Sequence, residues 1–319
     1  MKKGKLRKIL IVILLLLGLS FLGFSYYIGD QVVQGSTQLV TNDQTRELPD
    51  SFWSNFGVEK QAITQSYGLQ TASIPSTFQD HMIPADLLFA SGDPTQSDRD
   101  TVILVHGLGG NRESTYPIAN FFLEAGYNVL AYDQRSSGEN TAQYTTFGVW
   151  EKFDLIDCIN YIKQRAPQKK LGIWGTSFGG ATAGLAAGYE DTADKLDFMI
   201  LDCPVGSMKW MIREEMKNLD AGLPADYLVL CGDLVNRLRF GFSYDDADVP
   251  EAMKKVELPV LVVNSKIDTV TPEFMGKDIF QAIRGSEKEL WTVEDSSHAN
   301  IWIDYPVEYR LHMTNLIGE

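Results

Sequence analysis

The chain has 319 residues, 44% of them hydrophobic and 11% aromatic, which is enough to bury a large core and too apolar for a disordered segment. Its formal net charge is −14; residues 1–28 carry five basic and no acidic side chains, so the remainder stands at −19, with 23 basic against 42 acidic groups. That balance argues against a nucleic-acid partner, because replacing the counterions of a phosphate backbone takes basic side chains.

The five basic residues, Lys2, Lys3, Lys5, Arg7 and Lys8, lead into a run from Ile9 to Phe24 that is apolar apart from Ser20 and extends through Tyr26-Tyr27 to Ile28. About 20 such residues cross a bilayer as one helix. The basic flank holds the N-terminus in the cytoplasm and sends the rest of the chain outward, and the tyrosines suit the interfacial belt. A cleaved signal peptide is the competing reading, with Gly23-Phe24-Ser25 as a weak small-x-small site. The long apolar run and the aromatics after it favour an uncleaved anchor, and no cysteine is there to take a lipid. Residues 29–66 read as a polar stalk with a short helix or two around Phe52, Trp53 and Phe56.

Tyr67–Ile74 and His81–Ala90 have the character of a leading hairpin, with Pro75 and Pro84 marking breaks or edges. From Thr101 a regular alternation sets in. Thr101–Val105, Tyr127–Tyr132, Leu171–Trp174, Phe198–Leu201 and Val260–Val263 are short apolar runs, as in strands covered on both faces. Helical patterns fall between or after them at Glu113–Ala125, Val149–Gln164, Ala181–Ala187, Glu273–Ile283 and Pro306–Ile317, and one more strand at Glu289–Val293. Strand–helix alternation predicts an α/β fold with a doubly wound, mostly parallel sheet, its loops converging at the strand C-terminal ends. Between about 204 and 250 the alternation stops, and Met208, Trp210, Met211, Leu223, Tyr227 and Leu228 predict a small helical lid.

Gly175-Thr176-Ser177-Phe178-Gly179 stands at a strand end and a helix start. The Gly-x-Ser-x-Gly spacing there is a nucleophile-elbow pattern: the glycines make room for a tight turn, and the helix turns its N–H groups toward the serine. Alone, the motif is equally a glycine turn. A serine hydroxyl needs a base, and the chain has four histidines: His81, His106, His298 and His312. His81 precedes the regular alternation and His312 lies in a helical pattern, so both read as structural. His298 stands in the polar loop Asp295–Asn300 after the last predicted strand. No His-x-x-x-His or Cys-x-x-Cys spacing points to a metal, and the Gly-x-Gly-x-x-Gly of a dinucleotide site is missing after His106, so neither metal nor cofactor is expected. Cys158, Cys203 and Cys231 sit in or beside apolar runs and read as buried thiols, with one Cys203–Cys231 bridge the less favoured alternative.

The serine motif, His106-Gly107 after a strand, and late acidic and histidine residues after strands resemble the α/β-hydrolase fold superfamily over about residues 68–317. The loop Tyr132-Asp133-Gln134-Arg135-Ser136-Ser137-Gly138 is similar to a bacterial branch of serine hydrolases and esterases, with Ser136, Ser137 and Asn140 where Gly, His and Ser are usual. The resemblance implies a triad in the order Ser177, Asp268, His298, with Asp202 the rival acid. It implies an oxyanion hole from the backbone N–H groups of Leu108 and Phe178, and a packing role for His106 beneath that loop. The expectation is therefore an anchor or signal at 1–28, a stalk at 29–66, and a hydrolase domain at 67–319. That domain would act on small acyl esters outside the cytoplasmic membrane, attached through the N-terminal helix, with no nucleic-acid partner. A peptidase or acyltransferase using the same residues, or a non-catalytic binding module, are the alternatives. The oligomeric state is left open.

Overall fold

The computed structural model describes residues 3–57, 59–219 and 221–318; Lys2 of the basic flank lies outside them. The helices are α1 (Lys3–Thr37), α2 (Asn42–Thr45), α3 (Asp50–Asn55), α4 (Lys60–Tyr67), α5 (Tyr116–Glu124), α6 (Glu151–Arg165), α7 (Phe178–Ala187), α8 (Met208–Asn218), α9 (Ala225–Phe240), α10 (Val249–Met253), α11 (Glu273–Ala282), α12 (Ile301–Asp304) and α13 (Pro306–Ile317). The strands are β1 (Leu69–Pro75), β2 (Met82–Leu88), β3 (Thr101–Val105), β4 (Asn128–Tyr132), β5 (Leu171–Thr176), β6 (Phe198–Asp202), β7 (Val260–Ser265) and β8 (Lys288–Val293). Contacts divide the chain into two units, Gln38–Met208 with Ala247–Glu319, and Met1–Thr37 with Lys209–Asp246.

In the larger unit the strands form one sheet in the order β1-β2-β4-β3-β5-β6-β7-β8. The β1–β2 and β2–β4 pairs are antiparallel, and every later pair is parallel. All residues of β3, β4, β6 and β7 are buried, which explains why their sequences run apolar without alternation. Leu104, Val129, Trp174, Ile200 and Val263 pack with Phe122, Tyr309 and Met313 in the core.

Two polar knots hold loops of this unit. The guanidinium of Arg112 donates to Asp86 at 2.7 Å and to Asp133, and its backbone N–H donates to Asp133 Oδ1 at 2.8 Å. The loop after β4 is held partly by its own groups: Ser136 donates through N–H and Oγ to the Ala142 carbonyl, and Asn140 Nδ2 donates to the Asp133 carbonyl at 2.9 Å. The departures at Ser136 and Asn140 from the related pattern thus serve loop structure. In the second knot Tyr309 Oη accepts from Trp174 Nε1 and donates to Asp202 Oδ2, each at 2.8 Å, and all three residues are buried.

In the smaller unit the apolar run is the first part of a longer helix, since α1 continues past Ile28 to Thr37. No proline interrupts residues 29–37, and Val32, Val33, Ser36 and Thr37 are buried by packing of α1 on α9. The helices meet closely at two glycines. A Cβ on Gly29 would lie 2.3 Å from the Cys231 carbonyl oxygen, and one on Gly232 would lie 2.6 Å from Val32 Cγ1. Asp233 caps the segment after α9, accepting from the Tyr244 N–H at 2.7 Å and from Ser243 Oγ at 3.1 Å. The Cys158, Cys203 and Cys231 thiols are free and buried.

Tyr309→Phe removes a donor to a buried carboxyl and the acceptor of a buried indole N–H, a loss of about 1–3 kcal/mol. The expected result is a lower urea midpoint with an unchanged m-value, followed by circular dichroism of the full chain in detergent.

Candidate active site

One residue, Ser177, separates the end of β5 from the start of α7. Its backbone is at φ 55° and ψ −117°, a region that residues with side chains rarely enter. Steric contacts force the turn and explain the glycines on either side. A Cβ on Gly175 would lie 2.5 Å from the Gly179 carbonyl oxygen, and one on Gly179 would lie 2.1 Å from the Val105 carbonyl oxygen. Hydrogen bonds then fix the turn: the Ser177 N–H donates to the Asp202 carbonyl at 2.9 Å, and the Val205 N–H to the Ser177 carbonyl at 3.1 Å.

His298 lies in the loop after β8. Ser265 Oγ at the end of β7 donates to the Ser296 carbonyl at 2.5 Å, and Ser296 Oγ donates to Asp304 at 2.6 Å, so the loop is held from two sides. His298 Nε2 lies 2.9 Å from Ser177 Oγ, and its Nδ1 lies 2.7 Å from Asp268 Oδ2. With the proton on Nδ1 donated to the carboxylate, Nε2 is free to accept from the serine hydroxyl. The three residues are 121 and 30 positions apart in sequence and meet because each ends a neighbouring strand or follows one.

The Asp268 carboxyl is almost fully buried, and burial alone would raise its pKa. Hydrogen bonds from His298 and Thr271 and the nearby imidazole charge outweigh that, and the net shift is downward. Its Oδ1 accepts from the N–H groups of Val270 at 2.8 Å and Thr271 at 2.9 Å. Thr271 Oγ1 stands 2.9 Å from Asp268 Oδ2, 3.0 Å from the Cys203 carbonyl and 3.1 Å from His298 Nδ1. The sequence reading missed Thr271, although its place three residues after the acid in a polar loop was a usable signal. Asp202, the rival acid, is turned the other way, onto Tyr309. Burial pushes its carboxyl up to about 6, against the lowering by the tyrosine hydrogen bond.

His106 lies beneath the turn after β3. Its Nε2 accepts from the Gln134 N–H at 3.0 Å and its Nδ1 bonds the Gly107 carbonyl at 2.7 Å, while burial pushes its pKa down and keeps the ring neutral. The backbone above it abuts the serine, since a Cβ on Gly107 would lie 3.5 Å from Ser177 Cβ. Leu108 follows with its side chain 42% exposed. Phe178 opens α7, and a first-turn N–H has no acceptor within its own helix. Beside this turn lies a cavity of about 370 Å³ between Gly107–Gly110, Ile118, Trp302 and the N-terminal residues Phe52 and Phe56. His81 is buried between Asp80 at 2.6 Å and Asp154 at 2.9 Å, and His312 stacks on Trp291 and pairs with Glu289.

Cys203, Asp268 and His298 present ligand atoms within 4.8 Å of one another. Both ring nitrogens of His298 already have partners, and burial pushes the Cys203 thiol well above its usual range, so it stays protonated. The cluster suits proton transfer better than a cation.

An alpha/beta hydrolase fold family matches residues 100–229. The uncharacterised protein YqkD of Bacillus subtilis is 32% identical over 205 residues, which are 63% of this chain and 65% of that protein. The lysophosphatidylserine lipase ABHD12 of Danio rerio is 28% identical over 194 residues, 58% of this chain and 47% of that protein. The chain thus spans less than two thirds of the length of these two relatives. The solved structure of the Pyrococcus furiosus esterase Pf2001 aligns with a TM-score of 0.64 at 20% identity, over 88% of this chain and 98% of that one, a likeness of fold. The family match runs from the first buried parallel strand through the glycine-flanked serine, and with the likeness to the solved esterase it gives this chain an α/β-hydrolase fold.

Proposed function

We propose that the protein is a membrane-anchored serine hydrolase of acyl esters, with Ser177 as nucleophile, His298 as general base and acid, and Asp268 as the carboxylate that orients and stabilises the imidazole. The observation that carries this reading is the continuous hydrogen-bonded path from Ser177 Oγ through His298 to Asp268, at 2.9 and 2.7 Å, on a strained turn. In the first half-reaction Ser177 Oγ bonds to the acyl carbon as its proton moves to His298 Nε2, and the carbonyl electron pair moves onto oxygen. The oxyanion accepts from the N–H groups of Leu108 and Phe178. Its collapse breaks the bond to the alkoxy oxygen, which takes the proton from His298. Water then repeats the sequence on the acyl-enzyme and releases the acid. Asp268 stays ionised throughout, in keeping with its lowered pKa.

The apolar cavity beside the oxyanion turn supports an acyl chain as the substrate's buried part. The name of the zebrafish relative, a lysophosphatidylserine lipase, supports a lysophospholipid-like ester as the class to test first. The basic flank of α1 supports an orientation with the hydrolase domain outside the cytoplasmic membrane.

The decisive test is labelling of the full chain by a fluorophosphonate, together with a screen of ester and peptide substrates. Labelling is expected at Ser177, lost in Ser177→Ala and His298→Ala; an intact folded chain that does not label sinks the enzyme reading. Cleavage of peptides in place of esters would reassign the reaction class. Asp268→Asn is expected to lower kcat by about 10⁴-fold, with a much smaller loss for Asp202→Asn; the reverse ranking overturns the choice of acid. Thr271→Val removes one hydrogen bond to the ionised carboxylate, and a fall in kcat of about 10- to 100-fold with little change in KM is expected. Phe52→Trp narrows the cavity, so the longest acyl chain accepted should shorten while short esters are still hydrolysed, as read from a chain-length series.

A further inference from the structure

We propose that the lid insert makes its own contact with the bilayer: Leu219, Tyr227 and Leu230, at the start of α9 and just before it, sit in the lipid interfacial layer beside α1. This rests on reading α1 as the membrane span.

The argument begins with the direction and register of the helix pair. Tyr227, in the first turn of α9, touches α1 twice. Its ring centroid is 6.2 Å from that of Phe21, and its hydroxyl is 2.8 Å from Ser25 Oγ. One turn further along each helix, Gly29 packs on the backbone of Cys231, and Val32 packs on Gly232. Residue numbers rise together on both helices, so they run parallel. The start of α9 is level with the last part of the apolar run, and its C-terminal end points the same way as Thr37. The glycines fix this level, because a side chain at either position would collide with the other helix and no longer allow the close approach.

Depth follows from the register. The run Ile9–Ile28 spans about 30 Å as a helix, one hydrocarbon core, and puts Tyr26 and Tyr27 at its outer edge. Tyr227 bonds to Ser25 and therefore joins Tyr26 and Tyr27 in one interfacial belt, where amphipathic rings settle. Exposed apolar side chains flank Tyr227 in sequence on both sides. Leu219 is 58% exposed and Leu230 is 56% exposed, and a stripe continues up the same helix face through Leu234 and Leu238. Two of the acidic groups at this end are neutralised locally, Asp226 by Arg213 at 2.6 Å and Glu214 by Lys217 at 2.5 Å, which lessens their repulsion of anionic headgroups. The occupant of this face is lipid, because a membrane-crossing helix already holds it at that depth. The segment interrupting the hydrolase chain between β6 and β7 is thereby kept at a lipid surface.

The test uses the full chain in phosphatidylcholine–phosphatidylglycerol vesicles. Leu15→Cys, Leu230→Cys, Leu234→Cys and Leu238→Cys all replace exposed side chains, and the native thiols are buried, so an environment-sensitive NBD maleimide labels one site in each. Quenching by doxyl lipids is expected to be strongest at position 15, clear at 230, weaker at 234 and weakest at 238, since four residues of helix rise about 6 Å. Strong quenching at 15 with 230 no more quenched than 238 overturns the lipid contact and leaves the span intact. No quenching at 15 removes the span reading and this inference together.

Discussion

The structure depends first on how closely the helix after Ser177 approaches the strand before His106. Gly179 lies so near the Val105 carbonyl oxygen that a Cβ would come within 2.1 Å of it. That contact lets α7 start directly beneath the end of β3, brings the Gly107 backbone against Ser177, and leaves Ser177 at positive φ as the only residue of the turn. Strain in the turn is offset by its surroundings: the Ser177 N–H and carbonyl both bond to the segment 202–205 that follows β6. The turn after β3, the serine and the end of β6 are thus joined in one assembly by close packing and hydrogen bonds.

Beneath that assembly two carboxylates at adjacent strand ends are driven in opposite directions. Asp202 and Asp268 both end or follow a buried parallel strand, and both are desolvated. Asp202 has a neutral tyrosine hydroxyl for its main partner, and burial wins, raising the pKa to about 6. Asp268 has two backbone N–H groups, a threonine and an imidazole, and these win over burial. Separation of this kind lets one carboxyl stay charged beside a histidine while the other braces the core through Trp174 and Tyr309.

That division also marks what could be read from the amino-acid order. The uninterrupted apolar runs, the serine between glycines and the polar loops after strands carry local signals, so the parallel sheet and the meeting of Ser177 with His298 were legible. A choice between Asp202 and Asp268 needed burial and side-chain direction, which the sequence carries only through loop resemblance. Position hints at Thr271, three residues after the acid, but its role as a brace was not legible because its contacts reach residues as far apart as Cys203 and His298. The continuation of α1 to Thr37 was hidden too: Gly29, Asp30 and Gln31 look like the start of a stalk, and the packing against them comes from α9, distant in sequence.

The pairing of α1 with α9 gives those two glycines a purpose that composition alone would assign to flexibility. Gly29 and Gly232 lie in helix interiors, where glycine is unfavourable by about 1 kcal/mol each relative to alanine. The cost is offset only because the backbones come close enough for Val32 to reach Gly232 and for Cys231 to reach Gly29. Arg239 adds an ion pair to Asp30 at 2.5 Å, just beyond the apolar run. Close packing without large side chains, with an ion pair beyond it, holds the two helices in fixed register. In this chain one of the two is the long apolar N-terminal helix, and the other belongs to the insert that interrupts the hydrolase fold.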